Sequence, residues 1–120
     1  MVGRRVILVA DDEESVRLLL STLLERDSYT VLLANDGQHA LEVAREHDGE
    51  ISALVTDYKM PRLDGLQLAR RLVAERPGIR VMIMSGRMSN PEALKRCGFP
   101  MLSKPFTITG FMATLKQCLE

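Results

Sequence analysis

The sequence predicts an α/β fold, a doubly wound parallel sheet covered by helices on both faces, and three observations carry that prediction. Short apolar runs rich in β-branched residues alternate five times with stretches whose apolar residues recur at helical spacing. The connections are short, and no low-complexity tract, long linker or repeated motif interrupts the alternation. The 120 residues, 46% of them hydrophobic, suit one compact domain over 1–120 with a real core.

Arg5 to Ala10 is the first strand candidate, and residues 14–26 then place Val16, Leu19, Leu20, Leu23 and Leu24 at helical spacing. Tyr29 to Ala34 is the second strand; Asp36-Gly37 turns the chain into a helix with Ala40, Leu41 and Ala44 on one face. Ile51 to Asp57 is too short for a typical helix and rich in Ile, Val and Thr, so it reads as a buried third strand. Leu66, Ala69, Leu72 and Val73 mark the following helix, which Pro77-Gly78 stops. Ile79 to Met84 is the fourth strand, nearly all apolar. A short helix from Pro91 to Arg96 ends at Gly98, Pro100 to Ser103 makes a brief fifth strand, and Phe111, Leu115 and Leu119 line the last helix.

Short strand-to-helix connections require parallel strands with right-handed crossovers. The first, third and fourth strands are the most apolar and belong in the centre. That suits the flavodoxin-like (βα)5 order 2-1-3-4-5, whose switch point lies between strands one and three.

Composition excludes several classes of function. The 16 basic and 16 acidic residues cancel, which argues against a nucleic-acid or membrane surface as the main partner. There is no apolar run of about 18 residues and no charged-then-apolar leader, so a cytoplasmic setting is expected. Cys97 and Cys118 lack metal-ligand spacing and read as ordinary reduced thiols; His39 and His47 fall away from the strand ends and read as surface residues.

In an open α/β sheet, ligands bind beyond the carboxyl ends of the strands. Asp57 ends the third strand, within Val55-Thr56-Asp57-Tyr58-Lys59-Met60-Pro61; taken alone, it is also a residue that starts a turn. Asp11-Asp12 ends the first strand, where Asp is equally a helix cap. Ser85 ends the fourth strand and Lys104, fixed by Pro105, the fifth; a turn serine and a solvated lysine are their ordinary readings. The sheet order nevertheless sends four strand ends to one pocket. Three carboxylates there repel unless cations are supplied, and oxygen ligands with open positions suit Mg2+.

Val6 to Asp12, Asp57 to Pro61, Leu63-Asp64-Gly65 and Lys104-Pro105-Phe106 together resemble the receiver domain of two-component response regulators, the CheY-like family, across essentially the whole chain. The resemblance implies a phosphoacceptor switch that catalyses its own phosphorylation and dephosphorylation, rather than an enzyme acting on a separate substrate. Asp57 would take a phosphoryl group from a phosphohistidine on a sensor histidine kinase or histidine phosphotransfer protein. Asp12 would bind Mg2+ directly, Asp11 directly or through water, and the backbone carbonyl of Lys59 would complete the ligands. Ser85 would hydrogen-bond the phosphoryl group, Lys104 would pair with one of its oxygens, and Lys104-Pro105 is expected to be cis. The changed charge would move the Ser85-Gly86 loop and alter a surface read by a downstream protein target.

Two departures bear on output. Met101 stands where the family usually has an aromatic residue, and the stretch from Ser85 to Lys104 is a few residues short, so the fourth helix should be short or frayed. Lys59 and Arg87 flank the pocket at positions that tune acyl-phosphate hydrolysis in the family; both are also ordinary solvated cations. An aspartate-nucleophile phosphatase would need an Asp-x-Asp pattern after the first strand, and a flavodoxin a hydroxyl- and glycine-rich phosphate loop there; Asp11-Asp12-Glu13 supplies neither. A receiver-fold interaction module that works without phosphorylation is the standing alternative. A stand-alone regulator and the receiver of a hybrid kinase look alike at this level.

Overall fold

The computed structural model describes residues 4–86 and 92–120. Its elements alternate from β1 (Val6–Ala10), α1 (Glu14–Arg26), β2 (Thr30–Ala34), α2 (Gly37–Glu46) and β3 (Ala53–Asp57) to α3 (Gly65–Glu75), β4 (Arg80–Ser85), α4 (Glu92–Lys95), β5 (Met101–Ser103) and α5 (Ile108–Leu119). All strand pairs are parallel, and the order is β2-β1-β3-β4-β5, as the apolar pattern predicts.

Alternation along each strand divides the core into two layers. Leu8, Ala10, Leu54, Val81 and Ile83 face α2 and α3, where they meet Ala40, Leu41, Leu68, Ala69 and Leu72. Ile7, Val9, Ala53, Val55, Met82 and Met84 point the other way, to Leu20 and Leu24 of α1 and Phe111, Leu115 and Cys118 of α5. Because β1, β3 and β4 are buried on both faces, they read as continuous apolar runs rather than alternating ones.

Local chemistry sets the helix starts. Asp36 caps α2 by accepting from the His39 amide at 2.7 Å. Asp64 and Gln67 form a reciprocal capping box on α3, and Thr107 caps α5 through the Gly110 amide. Arg76 closes the base of α2 from 29 and 32 residues away, its guanidinium donating to the carbonyls of His47 and Ala44 at 2.8 Å.

Some expectations shift. Ile51 is buried but precedes β3, which begins at Ala53. Leu19 is 47% exposed, since α1 packs through Leu20 and Leu24. Cys118 joins Phe111 and Leu115 in the core, while Leu119 is half-buried beside them. His39 and His47 are half-buried rather than fully exposed. His39 Nδ1 accepts the Asn35 amide at 3.0 Å. The described part of α4 is one turn, Glu92–Lys95; its expected start at Pro91 lies outside the described residues, as does Arg87. No described helix is long and apolar enough to cross a membrane.

Candidate functional site

The parallel register brings the strand ends together. Ala10 pairs with Thr56 and Asp57 with Met84, so Asp11, Asp57 and Ser85 leave neighbouring strands at one level. β5 adds Lys104, whose amide donates to the Ser85 carbonyl at 2.8 Å. The Lys104-Pro105 peptide is cis.

Asp11 is fully buried and held on every side. Its amide donates to Ala34 at 3.2 Å. Oδ1 accepts the Glu13 amide at 2.9 Å, Oδ2 accepts Lys104 Nζ at 3.2 Å, and its carbonyl accepts from Arg17 at 2.7 Å. The capping reading of the acidic pair does not hold: Glu13 is the N-cap of α1, without a side-chain cap bond. Asp12, the next residue, is exposed at the rim.

Asp57 is buried, and its Oδ1 lies 3.3 Å from Lys104 Nζ. Burial pushes its carboxyl up to about 6; Lys104 opposes that rise, while Asp11 and then Asp12 add to it. For Lys104, burial works against the charge, but Asp11 and Asp57 outweigh it and hold the ammonium above its ordinary range. One oxygen each from Asp11, Asp12 and Asp57 lies within 4.8 Å of the others, the single such group among the described residues. A hard divalent cation fits this donor set, which offers only carboxylate oxygens and an open side at exposed Asp12.

Ser85 is buried at the end of β4, its Oγ 3.4 Å from the Gly86 carbonyl. Lys59 is exposed in the loop after β3, which folds back on the strand end through Tyr58 N–H to Met84 at 2.8 Å and Gly65 N–H to Tyr58 at 2.7 Å. Met101 packs half-buried in the α2/α3 layer. Phe106 lies in the opposite layer with its ring centroid 5.6 Å from that of Phe111. Arg17 is a contributor that the sequence reading passes over; its only signal there is a cation early in the helix that follows the acidic pair.

A family model described as the response regulator receiver domain matches residues 7–116. The response regulator MprA of Mycobacterium leprae is 38% identical over 118 residues, covering 95% of this chain and 50% of that protein. The sensor kinase CckA of Brucella abortus is 34% identical over 121 residues, covering 98% of this chain and 13% of the kinase. The chain thus spans half or less of the length of these curated relatives. Among solved structures, a response regulator receiver protein from Sinorhizobium medicae superposes with a TM-score of 0.85 at 27% identity, over 97% of this chain and 94% of that one. The chemotaxis protein CheY4 of Vibrio cholerae superposes at 0.82 with 26% identity, over 98% and 100%.

Proposed function

Since the chain belongs to the response regulator receiver domain family of two-component signalling, we propose that it is a phosphoacceptor switch whose nucleophile is Asp57. The observation that carries this reading is the convergence of three carboxylates within 4.8 Å, with Lys104 3.3 Å from Asp57. The donor is a phosphohistidine on a sensor histidine kinase or a histidine phosphotransfer protein. An Asp57 oxygen bonds to phosphorus as the bond from phosphorus to the donor imidazole nitrogen breaks, and that nitrogen takes up a proton. The products are an acyl phosphate on Asp57 and free histidine on the donor.

Asp11, Asp12 and Asp57 would hold Mg2+, with the Lys59 carbonyl completing the protein ligands. When bound, Mg2+ supplies positive charge opposite the transferring phosphoryl oxygens. The residues of the chain do the positioning, which is most of phosphoryl-transfer catalysis. Lys104, already between Asp11 and Asp57, pairs with a phosphoryl oxygen. Ser85, tied to Lys104 through the backbone, offers its hydroxyl to another.

Charge supplies the switch. Three carboxylates balance a divalent cation plus Lys104, whereas the acyl phosphate replaces one carboxylate with a group of about −2 charge. The excess draws donors inward, the Ser85 hydroxyl foremost, and moves the Ser85-Gly86 segment. With Met101 in place of an aromatic rotor, the output through β5 is weaker than in the family, or different. A small acyl-phosphate donor with Mg2+ is expected to add one phosphoryl group to the native chain by intact mass, and none when chelator replaces Mg2+. A folded chain that gains no Mg2+-dependent adduct contradicts the proposal and favours a module that binds partners without phosphorylation.

A further inference from the structure

Arg62 has a left-handed backbone, φ 68°, a conformation that disfavours any residue with a Cβ. Glycine or asparagine is the economical residue there, so an arginine points to work done by its side chain. That side chain crosses to α2, where its guanidinium donates to Asp36 Oδ2. Asp36 is buried, and its other oxygen caps α2 through the His39 amide at 2.7 Å. The His39 amide, and after it the Arg62 guanidinium, hold the Asp36 carboxyl below its usual range. The pair is therefore charged at neutral pH.

The same two segments touch again through backbone. A Cβ on Gly37 would lie 2.4 Å from the Leu63 carbonyl oxygen and 2.8 Å from Leu63 Cβ, so the start of α2 lies directly against the loop after β3. That loop closes on itself through Leu63 N–H to Pro61 at 2.8 Å and on the strand through Gly65 N–H to Tyr58 at 2.7 Å. Between those two anchors lies Lys59, and at their base Asp57.

We infer that Arg62 and Asp36 are positioning residues, a clasp from α2 that fixes the 58–64 loop and thereby the Lys59 carbonyl and Asp57. The role rests on the phosphoacceptor reading above and extends it to two residues outside the pocket. Neither touches the reacting atoms. Because Arg62 is largely exposed, its removal leaves the core intact.

Arg62→Gly separates backbone from side chain, since it relieves the disfavoured conformation while breaking the clasp. Two readouts follow: amide hydrogen exchange at Leu63 and Gly65 without divalent cations, and the Mg2+ concentration giving half-maximal adduct formation. Loss of a residue that orients ligands typically weakens metal affinity by about tenfold or more. Arg62→Gly is therefore expected to raise the half-saturating Mg2+ about tenfold, with little change in rate at saturating Mg2+, and to speed exchange at both amides. Arg62→Lys, keeping a cation in reach of Asp36, is expected to recover part of both. Asp36→Asn, which keeps the cap but not the charge, should resemble Arg62→Gly.

Unchanged exchange and unchanged Mg2+ dependence in Arg62→Gly overturn the inference. So does faster exchange spread evenly over the chain, which marks a general loss of stability. A native chain that takes no adduct overturns the phosphoacceptor reading, and the positioning role with it. That failure is seen in the native chain alone, before any variant is compared.

Discussion

Asp57→Asn is expected to accept no phosphoryl group and to be more stable than the native chain in chelator at pH 7 to 8. The second effect follows from burial. The Asp57 carboxyl titrates near 6 in the fold against 3.8 when unperturbed, because its charged form is poorly solvated there. A raised carboxyl pKa means that the folded state favours the protonated form. The associated stability is fully present below about 3.8 and is lost as pH rises through about 6. A shift of this size sets an upper bound of about 3 kcal/mol on the cost above that window, and solvent reaching the carboxylate brings it down to on the order of 1 to 2 kcal/mol. Asparagine carries no charge and avoids it. Urea unfolding of both proteins from pH 4 to 8 should show curves that nearly coincide at pH 4 and separate through pH 6, with the variant above. Saturating Mg2+ should narrow the gap, since a cation stabilises the native carboxylate and not the amide. Curves that stay parallel across the whole range would mean that Asp57 is not held against its charge.

Gly65→Ala is expected to destabilise the fold by on the order of 3 kcal/mol or more, with loss of adduct formation in whatever fraction remains folded. Its added Cβ would sit 2.2 Å from the Asp57 carbonyl oxygen, 3.0 Å from the Asp57 carbonyl carbon and 3.0 Å from Tyr58 Cα. All three are backbone atoms, so no side-chain rotation relieves the contact. Either the start of α3 or the end of β3 must move, and the latter carries the nucleophile. Gly78→Ala is the control: among the described residues, nothing lies within 4 Å of its Cβ position. Reduced freedom of the unfolded chain should there leave stability unchanged or raised by about 0.4 to 1 kcal/mol. Equal thermal shifts for the two substitutions would show that close packing at Gly65 does not set the position of Asp57.

The strand order, both layers of the core and the site cluster were legible because each rests on a local pattern. Asp57 and the Asp11-Asp12 pair stand at the ends of apolar runs, and a buried parallel strand announces itself by such a run. Their convergence then follows from sheet order alone. The difference between buried Asp11 and exposed Asp12 was not legible; it depends on which face the chain presents as it leaves β1. Asp36 read only as a turn residue, and nothing in Pro61-Arg62-Leu63 signals a left-handed backbone or an ion pair spanning 26 residues. Arg76 is similar, since its carbonyl partners lie 27 to 32 residues back in the chain. At α5, spacing alone does not choose between Cys118 and Leu119; the helix is rotated by its packing so that the thiol meets the Val81 carbonyl at 3.4 Å.

The central claim is that Asp57 itself carries the phosphoryl group, and it is tested most directly by locating that group. Borohydride reduces an acyl-phosphorylated aspartate to homoserine, which marks the residue permanently. After treatment with an acyl-phosphate donor and Mg2+, reduction and proteolysis, peptide sequencing by mass spectrometry is predicted to find homoserine at position 57 alone, and none in the chelator control. Homoserine at position 11 or 12, or an adduct that survives reduction on Ser85, would contradict the account.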